Sequence, residues 1–419
     1  MSKKLRDLSV SERLDTLKKK IGLSEEELDT LRNGILGEDL ADNMIENVVG
    51  AIKIPIGIAE NFKINGRDYI VPMAIEESSV VAGANFAAKL CRDTGGFKAE
   101  AEESIMIGQI YLKNCVPDAM PKVLASKRII RELANPRDST LVACGGGLKD
   151  VEVRNVGKYV CIHLLIDVKD AMGANFVNTT AEKVAPYIEE ITGGKVVLRV
   201  LSNLSVYRKA KSKAVWKAKT LEESVGGSFT GKEVAEGIMC LWDIASLDPF
   251  RRATHNKGIM NGIDALMIAT GNDWRAIESG VHTYSSIINS PVTTYKINSN
   301  GDLEGRIEIP LAVGIVGGAT KINPVAQVNL KLLGVSNAKE LACVAASVGL
   351  ANNFAALRVL STEGIQRGHM KLHAKNIAHM AGATGDKIEK IARVMIQENK
   401  ITVSRAKELM NGSGNFYKI

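Results

Sequence analysis

The order of predicted elements between residues 103 and 203 constrains the fold of this chain more than any other feature. Alternating apolar residues predict strands, and apolar residues spaced three and four apart predict helices. The segment reads as a strand, a helix, two strands, a helix and a strand, at residues 103–112, 118–135, 149–168 (both strands), 174–194 and 195–203. This is the split βαβ order of ferredoxin-like folds. We therefore predict an α+β protein that contains such a unit.

The chain is long enough for more than one hydrophobic core, and its composition is that of an ordinary globular protein. It has 419 residues, of which 45% are hydrophobic and 24% are charged. The net charge of +7 is spread thinly along the chain, which suits a small anionic substrate but does not single out any partner. Aromatic residues make up only 5%, so we expect no nucleic-acid partner.

The cysteines and the N-terminal sequence indicate a cytoplasmic protein. The six cysteines contain no CxxC pair, which is typical of free, buried thiols in a reducing compartment. The charged start, MSKKLRDLSVSERL, does not have the apolar segment of a signal peptide. No run of about 18 apolar residues appears, so we expect a soluble protein without a membrane span.

Two junctions between predicted elements carry candidate binding groups. In IDVKDAMGANF, the residues Asp170, Met172 and Gly173 lie between a strand and a helix, where backbone N–H groups and the helix dipole bind anions. An ordinary tight turn is the alternative. In VPMAIEESSVV, Glu76 and Glu77 follow an apolar run. They are either charges at a helix N-terminus or include a proton donor held in a cleft.

Two further loops in the same part of the chain have a structural and a functional interpretation. The three glycines of ACGGGLKD, residues 145–147, form either a flexible turn or a place where the backbone closely approaches a ligand. Asp138, in ANPRDST, is either a solvated cap residue or an acceptor for a ribose 2′-hydroxyl.

The stretch RRATHNKGIMNGIDALMIATGNDWRA, residues 251–276, has polar, glycine-rich ends around an apolar run. Lys257 lies between an asparagine and a glycine, and we predict that it belongs to a loop. A lysine buried beside a carboxylate stays charged and can stabilise an oxyanion. Residues 263–270 are therefore predicted to be a rigid spacer that brings Lys257 and Asp273 into one cleft.

Three histidines occur near the C-terminus. His369 and His373 have the i, i+4 spacing of metal ligands on a helix, and His379 follows. No third ligand stands at a suitable position, so we expect no metal. A mobile acid–base histidine and a plain surface histidine remain the two interpretations.

Several long motifs, taken in order, resemble hydroxymethylglutaryl-CoA reductases of the soluble, prokaryotic kind. The resemblance covers nearly the whole chain, and its markers are MIENVVG, INGRDYIVPMAIEESSVVA, DAMGAN, ATHNKGIMNGID, ATGNDWRA and TEGIQRGHMKLHAKN. It implies a large acyl-CoA-binding domain from residues 1–102 and 204–368, with an inserted nicotinamide-binding, ferredoxin-like domain at 103–203. It also implies a C-terminal flap at 369–419, and a homodimer or assembly of dimers with shared active sites.

The resemblance also assigns roles to individual residues. The implied catalytic residues are Glu77, Lys257, Asp273 and His369. The implied substrate-side residues are Glu46, Ser79, Arg251 and Asn261. The implied cofactor-side residues are Asp138, Asp170, Met172, Gly173 and Asn203. Where relatives often carry proline after the glutamate pair, this chain has Ser78, which alters the expected turn.

The implied reaction interconverts 3-hydroxy-3-methylglutaryl-CoA with mevalonate and CoA through two hydride transfers. Asp138 favours NAD(H), with use of NADP(H) left open, and no metal is needed. The physiological direction is not fixed by these residues. Two alternatives stay open: a CoA-dependent acyltransferase with Cys144 as its nucleophile, and a scaffold that binds CoA or a nucleotide without turnover.

Overall fold

The computed structural model describes residues 5–34, 36–362, 374–398 and 400–411. The N-terminal part holds helices and a hairpin that lead into the first strand of the main sheet. Its elements are α1 (Val10–Ile21), α2 (Glu25–Asn33), α3 (Glu38–Asp42), β1 (Ile56–Ile64), β2 (Arg67–Ala74), α4 (Val80–Leu90) and β3 (Lys98–Ala101).

Local sequence signals account for these first elements. Ser24 and Glu27 form the predicted capping box at the start of α2, and Gly34 ends that helix in the left-handed region. Asn65 and Gly66, with φ of 51° and 88°, make the turn between β1 and β2. Both predictions are confirmed.

The middle part forms a four-stranded antiparallel sheet with helices packed against it. Its elements are β4 (Ile105–Lys113), α5 (Ala119–Ala125), α6 (Lys127–Ala134), α7 (Thr140–Ala143), β5 (Gly147–Val156), β6 (Tyr159–Asp167), α8 (Ala174–Thr192) and β7 (Lys195–Ser202). The strand order is β5–β6–β4–β7, and every neighbouring pair is antiparallel. This is the ferredoxin-like arrangement that the sequence predicts. The single helix predicted at 118–135 is instead two, α5 and α6, which meet at Ser126.

The next elements complete a second sheet and the helices that pack around it. They are β8 (Lys209–Trp216), α9 (Ala218–Ser224), α10 (Gly231–Leu247), α11 (Pro249–Ala269), α12 (Trp274–Ile287), β9 (Thr293–Ile297), β10 (Leu303–Pro310), α13 (Gly318–Ile322), α14 (Pro324–Leu333) and α15 (Ala338–Leu360). The sheet has the order β3–β8–β10–β9. Strands from both sides of the middle sheet thus join in one core, so the ferredoxin-like unit interrupts a larger unit.

Helix α15 lies at the centre of the larger core. It is long and apolar enough to cross a membrane, but 67% of its most apolar stretch is buried inside the protein. It packs against α11, α4 and β8, so its composition is explained by core packing. Beyond it, residues 374–380 are helical, and α16 (Asp386–Gln397) and α17 (Val403–Met410) are the two short helices predicted for the tail.

The prediction of loops around Lys257 is wrong, because residues Pro249–Ala269 form one continuous helix, α11. Asp248 caps its start by accepting hydrogen bonds from the N–H groups of Phe250 and Arg251. The helix is buried on most sides, so it carries no amphipathic pattern. Its two glycines, which suggested loops, are interior helix residues.

The two glycines of α11 give a matched pair of stability predictions. A Cβ on Gly258 would meet no atom within 4 Å, whereas a Cβ on Gly262 would lie 2.9 Å from the Asn352 side chain. We expect Gly258→Ala to raise the free energy of unfolding by about 0.5–1 kcal/mol, because alanine restricts the unfolded chain. Gly262→Ala should lower it by about 1–3 kcal/mol through overpacking. Urea unfolding of both variants checks this; equal effects of the two substitutions would contradict the packing described here.

Candidate active site

Glu77 and Lys257 meet where the N-terminal part packs against α11. The Nζ atom of Lys257 donates to Oε2 of Glu77 at 3.2 Å, an ion pair between residues 180 positions apart. Both side chains keep access to solvent, with 59% of Lys257 and 35% of Glu77 exposed. A fixed ammonium beside a carboxylate, open to a ligand, can stabilise developing negative charge and hold a proton next to it.

Local structure explains why these two side chains meet. Helix α11 packs against β2, and Glu77 follows β2 by three residues. Ser79 then begins α4 with φ of 77°, a left-handed conformation that costs energy for a residue other than glycine. Asn261 lies one helical turn after Lys257 and therefore projects from the same side of α11. Two of the predicted site residues, Glu77 and Asn261, thus lie beside Lys257.

A second polar region surrounds the turn between β6 and α8. The turn contains Asp170 and Met172, and Gly173 starts α8 with φ of 93° and no side-chain cap. The first N–H groups of a 19-residue helix are therefore left without a side-chain acceptor. Such a helix start binds anions, so the site fits the pyrophosphate of a dinucleotide.

The glycine loop and Asp138 lie at the same end of the sheet as this turn. Gly147 pairs with Asp167 at the end of β6, and Gly146 packs against Leu141 of α7. Asp138 is exposed, two residues before α7. In the turn itself, Lys169 forms an ion pair with Asp167 at 2.8 Å. The region therefore offers both an exposed carboxylate and a lysine near the anion site.

Asn203, the remaining predicted cofactor-side residue, follows β7. Its carbonyl oxygen faces Gly280 of α12 so closely that a Cβ on that glycine would lie 2.5 Å away. This contact places the end of the ferredoxin-like unit directly on α12, the helix that Asp273 begins.

The described contacts of Asp273 lie at its own helix start, whereas the ion pair of Lys257 is with Glu77. Lys257 lies 12 residues before the end of α11, or about 18 Å along a helix. Asp273 caps α12 by accepting from the N–H of Ala276 at 3.1 Å, and its ion-pair partner is Arg275 at 3.7 Å. The neighbouring Asn272 accepts from the N–H of Gly314 at 2.7 Å, and Gly314 packs on Met172. The loop before Asp273 is therefore connected through Gly314 to the turn between β6 and α8.

Comparison with known proteins decides the family. The model of the hydroxymethylglutaryl-coenzyme A reductase family matches residues 9–374. The chain is 55% identical over 410 residues to the 3-hydroxy-3-methylglutaryl-coenzyme A reductase of Archaeoglobus fulgidus, covering 96% of this chain and 92% of that protein. The chain belongs to the hydroxymethylglutaryl-coenzyme A reductase family.

Other relatives agree with this assignment. A probable reductase of the same name from Borreliella burgdorferi is 38% identical and covers 91% of this chain and 87% of its own length. The structure of the class II reductase from Streptococcus pneumoniae bound to NADPH is similar with a TM-score of 0.81 at 35% identity, covering 97% of this chain and 100% of that one. The fold class predicted from the sequence is therefore confirmed.

The other predicted reductase residues fall in different places. Glu46 lies in an exposed turn after α3. Arg251 lies in the first turn of α11 and is partly buried. His369 and His373 lie outside the described residues, whereas His379 lies in the helical segment 374–380. The structure therefore brings Glu77 and Lys257 together but leaves Glu46 at the surface of the single chain.

Sequence reasoning missed a half-buried carboxyl pair near Lys257. Asp264 of α11 contacts Glu278 of α12, and Oε2 of Glu278 lies 2.7 Å from Nε2 of His282. Burial, together with the carboxylate of Glu278, raises the pKa of Asp264 to about 9. Asp264 therefore holds a proton at neutral pH and donates it towards Glu278. An aspartate seven positions after Lys257 was visible in the sequence, but its partner on α12 was not.

The pKa of Asp264 predicts a pH-dependent stability. Between about pH 4 and pH 9 the folded state keeps the proton that an unfolded aspartate, with its ordinary pKa of about 3.9, has lost. The folded state binds more protons, so this group lowers stability as the pH rises through that window. We expect Asp264→Asn to remove this decrease in stability. The melting temperature of the variant should therefore rise relative to that of the wild type as the pH increases from 5 to 8. Exposed Asp243→Asn is the control; a constant offset for Asp264→Asn across this range would contradict the prediction.

The exposure of the cysteines differs in part from the prediction of buried thiols. All six cysteines are free, but Cys144 and Cys240 are exposed rather than buried. Burial raises the pKa of the Cys91 thiol to about 12, so that residue is an inert core side chain. Cys144 follows α7 at the glycine loop of the ferredoxin-like unit, whereas Glu77 and Lys257 belong to the larger unit.

Proposed function

We propose that this chain interconverts 3-hydroxy-3-methylglutaryl-CoA with mevalonate and CoA by two successive hydride transfers. The observation that carries the proposal is the Lys257–Glu77 ion pair at 3.2 Å, open to solvent, in a chain of this reductase family. Each reduction of a carbonyl carbon places negative charge on its oxygen. A positioned cation beside a carboxylic acid meets that need.

Each catalytic residue has a separate role in this proposal. Lys257 stabilises the oxyanion formed when the thioester carbonyl, and later the aldehyde carbonyl, accepts a hydride. Glu77, which is held in place by its contact with Lys257, supplies a proton to the aldehyde oxygen. His369 protonates the departing CoA thiolate, because an imidazole titrates in the right range. No metal enters these steps.

The nicotinamide cofactor, when bound, supplies the hydride, and the turn at Asp170–Gly173 holds its pyrophosphate. The uncapped start of α8 supports this assignment. NAD(H) is the favoured cofactor because the Asp138 carboxylate accepts from a ribose hydroxyl and repels a 2′-phosphate. The pneumococcal relative was solved with NADPH, so NADP(H) is the second cofactor of this proposal.

The catalytic unit of this proposal is a homodimer with shared active sites. In this arrangement Asp273 of a second copy joins Lys257 and Glu77, since the described contacts of Asp273 in its own chain are with Ala276 and Arg275. Large apolar side chains are also exposed beside Glu46: Met44, Ile45, Val49, Ile52 and Ile54. Such a patch is typical of a protein interface. It would place Glu46 at the boundary between the copies.

The domain assignment is part of the proposal. Residues 103–203 form the inserted cofactor-binding domain, 1–102 and 204–368 form the substrate-binding domain, and 369–419 form a flap. The enzyme is soluble and cytoplasmic, and it either makes mevalonate for isoprenoids or oxidises it.

The test is an assay of the purified protein with 3-hydroxy-3-methylglutaryl-CoA and either NADH or NADPH. We expect oxidation of the nicotinamide only when the acyl-CoA is present. Cys144→Ala should retain this activity. Loss of all activity in that variant would favour the acyltransferase alternative. A folded wild-type protein that oxidises neither cofactor would favour the scaffold.

Asp138→Ala tests the cofactor assignment separately. Removing the carboxylate should raise kcat/KM for NADPH relative to that for NADH by about 10-fold, since a repulsion and a ribose contact are lost together. Asp118→Ala, at another exposed aspartate of the same unit, is the control. An unchanged ratio of the two cofactors would exclude this role of Asp138.

A further inference from the structure

Arg208, just before β8, is a buried cation whose hydrogen-bond partners are backbone carbonyls. Its side chain donates to the carbonyl oxygens of Ala171 at 3.2 Å and Met172 at 3.3 Å. It also donates to the carbonyl oxygen of Val313. The residue is only 4% exposed. One guanidinium therefore joins the β6–α8 turn to the segment after β10.

A guanidinium in this position is costly for stability alone. Burial lowers the pKa of Arg208 to about 10, so the side chain stays charged at neutral pH without a paired carboxylate in direct contact. Asp167 and Asp170 act on it only from a distance. Taking a charge out of water carries a desolvation penalty, and replacing buried ion pairs by apolar residues of similar volume is often neutral or stabilising. The planar fork of five donors, by contrast, can fix several carbonyls at once.

The direction of these bonds orients the turn. In a trans peptide the carbonyl and the following N–H point in opposite directions. Because the Met172 carbonyl faces the Arg208 guanidinium, the N–H of Gly173 points away from it, on the side where α8 begins. The conformation of the anion-binding backbone thus depends on Arg208.

The contacts between the β6–α8 turn and the segment after β10 extend to the loop before Asp273. The N–H of Ile315 donates to the carbonyl of Asp170 at 2.9 Å. A Cβ on Gly314 would lie 2.4 Å from the Met172 nitrogen, so the two backbones are in close contact. The N–H of Gly314 in turn donates to Oδ1 of Asn272 at 2.7 Å. A displacement of the turn is therefore passed to the residue next to Asp273.

We propose that Arg208 is a positioning residue that sets the cofactor-binding turn and, through Gly314 and Asn272, its alignment with Asp273. The proposal rests on the proposed function, because it takes the turn Asp170–Gly173 as the site of the nicotinamide cofactor. Arg208 itself touches neither substrate nor cofactor. Its contribution is the geometry of groups that do.

Arg208→Lys is the test, because lysine keeps the charge but cannot hold three carbonyls in one plane. KM for the nicotinamide cofactor should rise by about 10-fold or more, and kcat should fall, since misplacement by about 1 Å has effects of that order. KM for the acyl-CoA should change by less than about 2-fold. Arg252→Lys is the matched control: Arg252 is also buried, at 8% exposure, and donates to the carbonyls of Ala245 and Ser246 away from the turn. It should lower the melting temperature and leave the cofactor KM unchanged.

Two further variants separate the possible failures. Gly314→Ala pushes on the turn from the opposite side and should raise the cofactor KM as Arg208→Lys does, which keeps the test valid if Arg208→Lys does not fold. Met172→Ala tests the cofactor-binding turn itself. A raised cofactor KM for Met172→Ala, with Arg208→Lys and Gly314→Ala changing only the melting temperature, would overturn the positioning role alone. An unchanged cofactor KM in all three variants would overturn the cofactor assignment as well.

Discussion

Lys257→Met is expected to lower kcat/KM for 3-hydroxy-3-methylglutaryl-CoA by about 1,000-fold, the upper end of losses for one oxyanion-stabilising group. Methionine keeps much of the side-chain volume but removes the charge that pairs with Glu77. Because both carbonyl reductions develop an oxyanion, reduction of the acyl-CoA and reduction of the free aldehyde should fall together. Steady-state assays of the two half-reactions measure this.

Two controls separate the role of Lys257 from the loss of a lysine in general. Lys232→Met removes an exposed helix lysine that also pairs with a carboxylate, Glu236 at 3.7 Å, and should keep activity within about 2-fold. Lys257→Arg keeps the charge and should recover part of the activity. An active Lys257→Met enzyme would show that another group stabilises the oxyanion.

Glu77→Gln should lower kcat for reduction of the free aldehyde by about 100-fold to 1,000-fold, within the range for a general acid. Glutamine keeps the shape and can still accept from Lys257, but it cannot give up a proton. The first reduction, from thioester to hemithioacetal, should be less affected. The neighbouring Glu76→Gln is the control, because Glu76 is exposed and Glu77 makes the contact with Lys257.

The outcome of this pair distinguishes two roles for Glu77. Equal losses in both half-reactions would mean that Glu77 mainly positions Lys257. A large loss in Glu76→Gln with an active Glu77→Gln would reverse the assignment of the two glutamates. Thermal unfolding of both variants excludes a general loss of structure.

Local signals in the sequence were sufficient for much of the fold. The capping box of Ser24 and Glu27 and the Asn65–Gly66 turn depend on residues that are close in the chain, so their chemistry could be recognised directly. The ferredoxin-like sheet followed from the spacing of apolar residues between 103 and 203, because each strand and helix there buries one side.

The prediction failed where burial removes the pattern. Helix α11 is buried on most sides and contains polar core residues such as His255 and Asn256, so its sequence resembles a polar loop around an apolar run. Its glycines strengthened that interpretation, although Gly262 is there because Asn352 packs against it. The sequence identified Lys257 as unusual but could not give the conformation around it.

The contacts of the candidate site that depend on tertiary structure could not be predicted either. The described ion-pair partner of Lys257 is Glu77, which lies 180 positions away in the chain, whereas Asp273 contacts Ala276 and Arg275. Arg208 and the pair of Asp264 with Glu278 carry no local signature, since their partners come from distant segments. Both became visible only in the folded chain, Arg208 as a buried cation and the carboxyl pair as a half-buried contact.

The most direct measurement of the central claim is the ratio of nicotinamide oxidised to mevalonate formed by the wild-type protein. Two reductions of one substrate predict a ratio of two, with one free CoA thiol released per mevalonate and no accumulation of aldehyde. A ratio of one, with the aldehyde as the final product, would contradict the proposal that a single site with Lys257 and Glu77 carries out both hydride transfers.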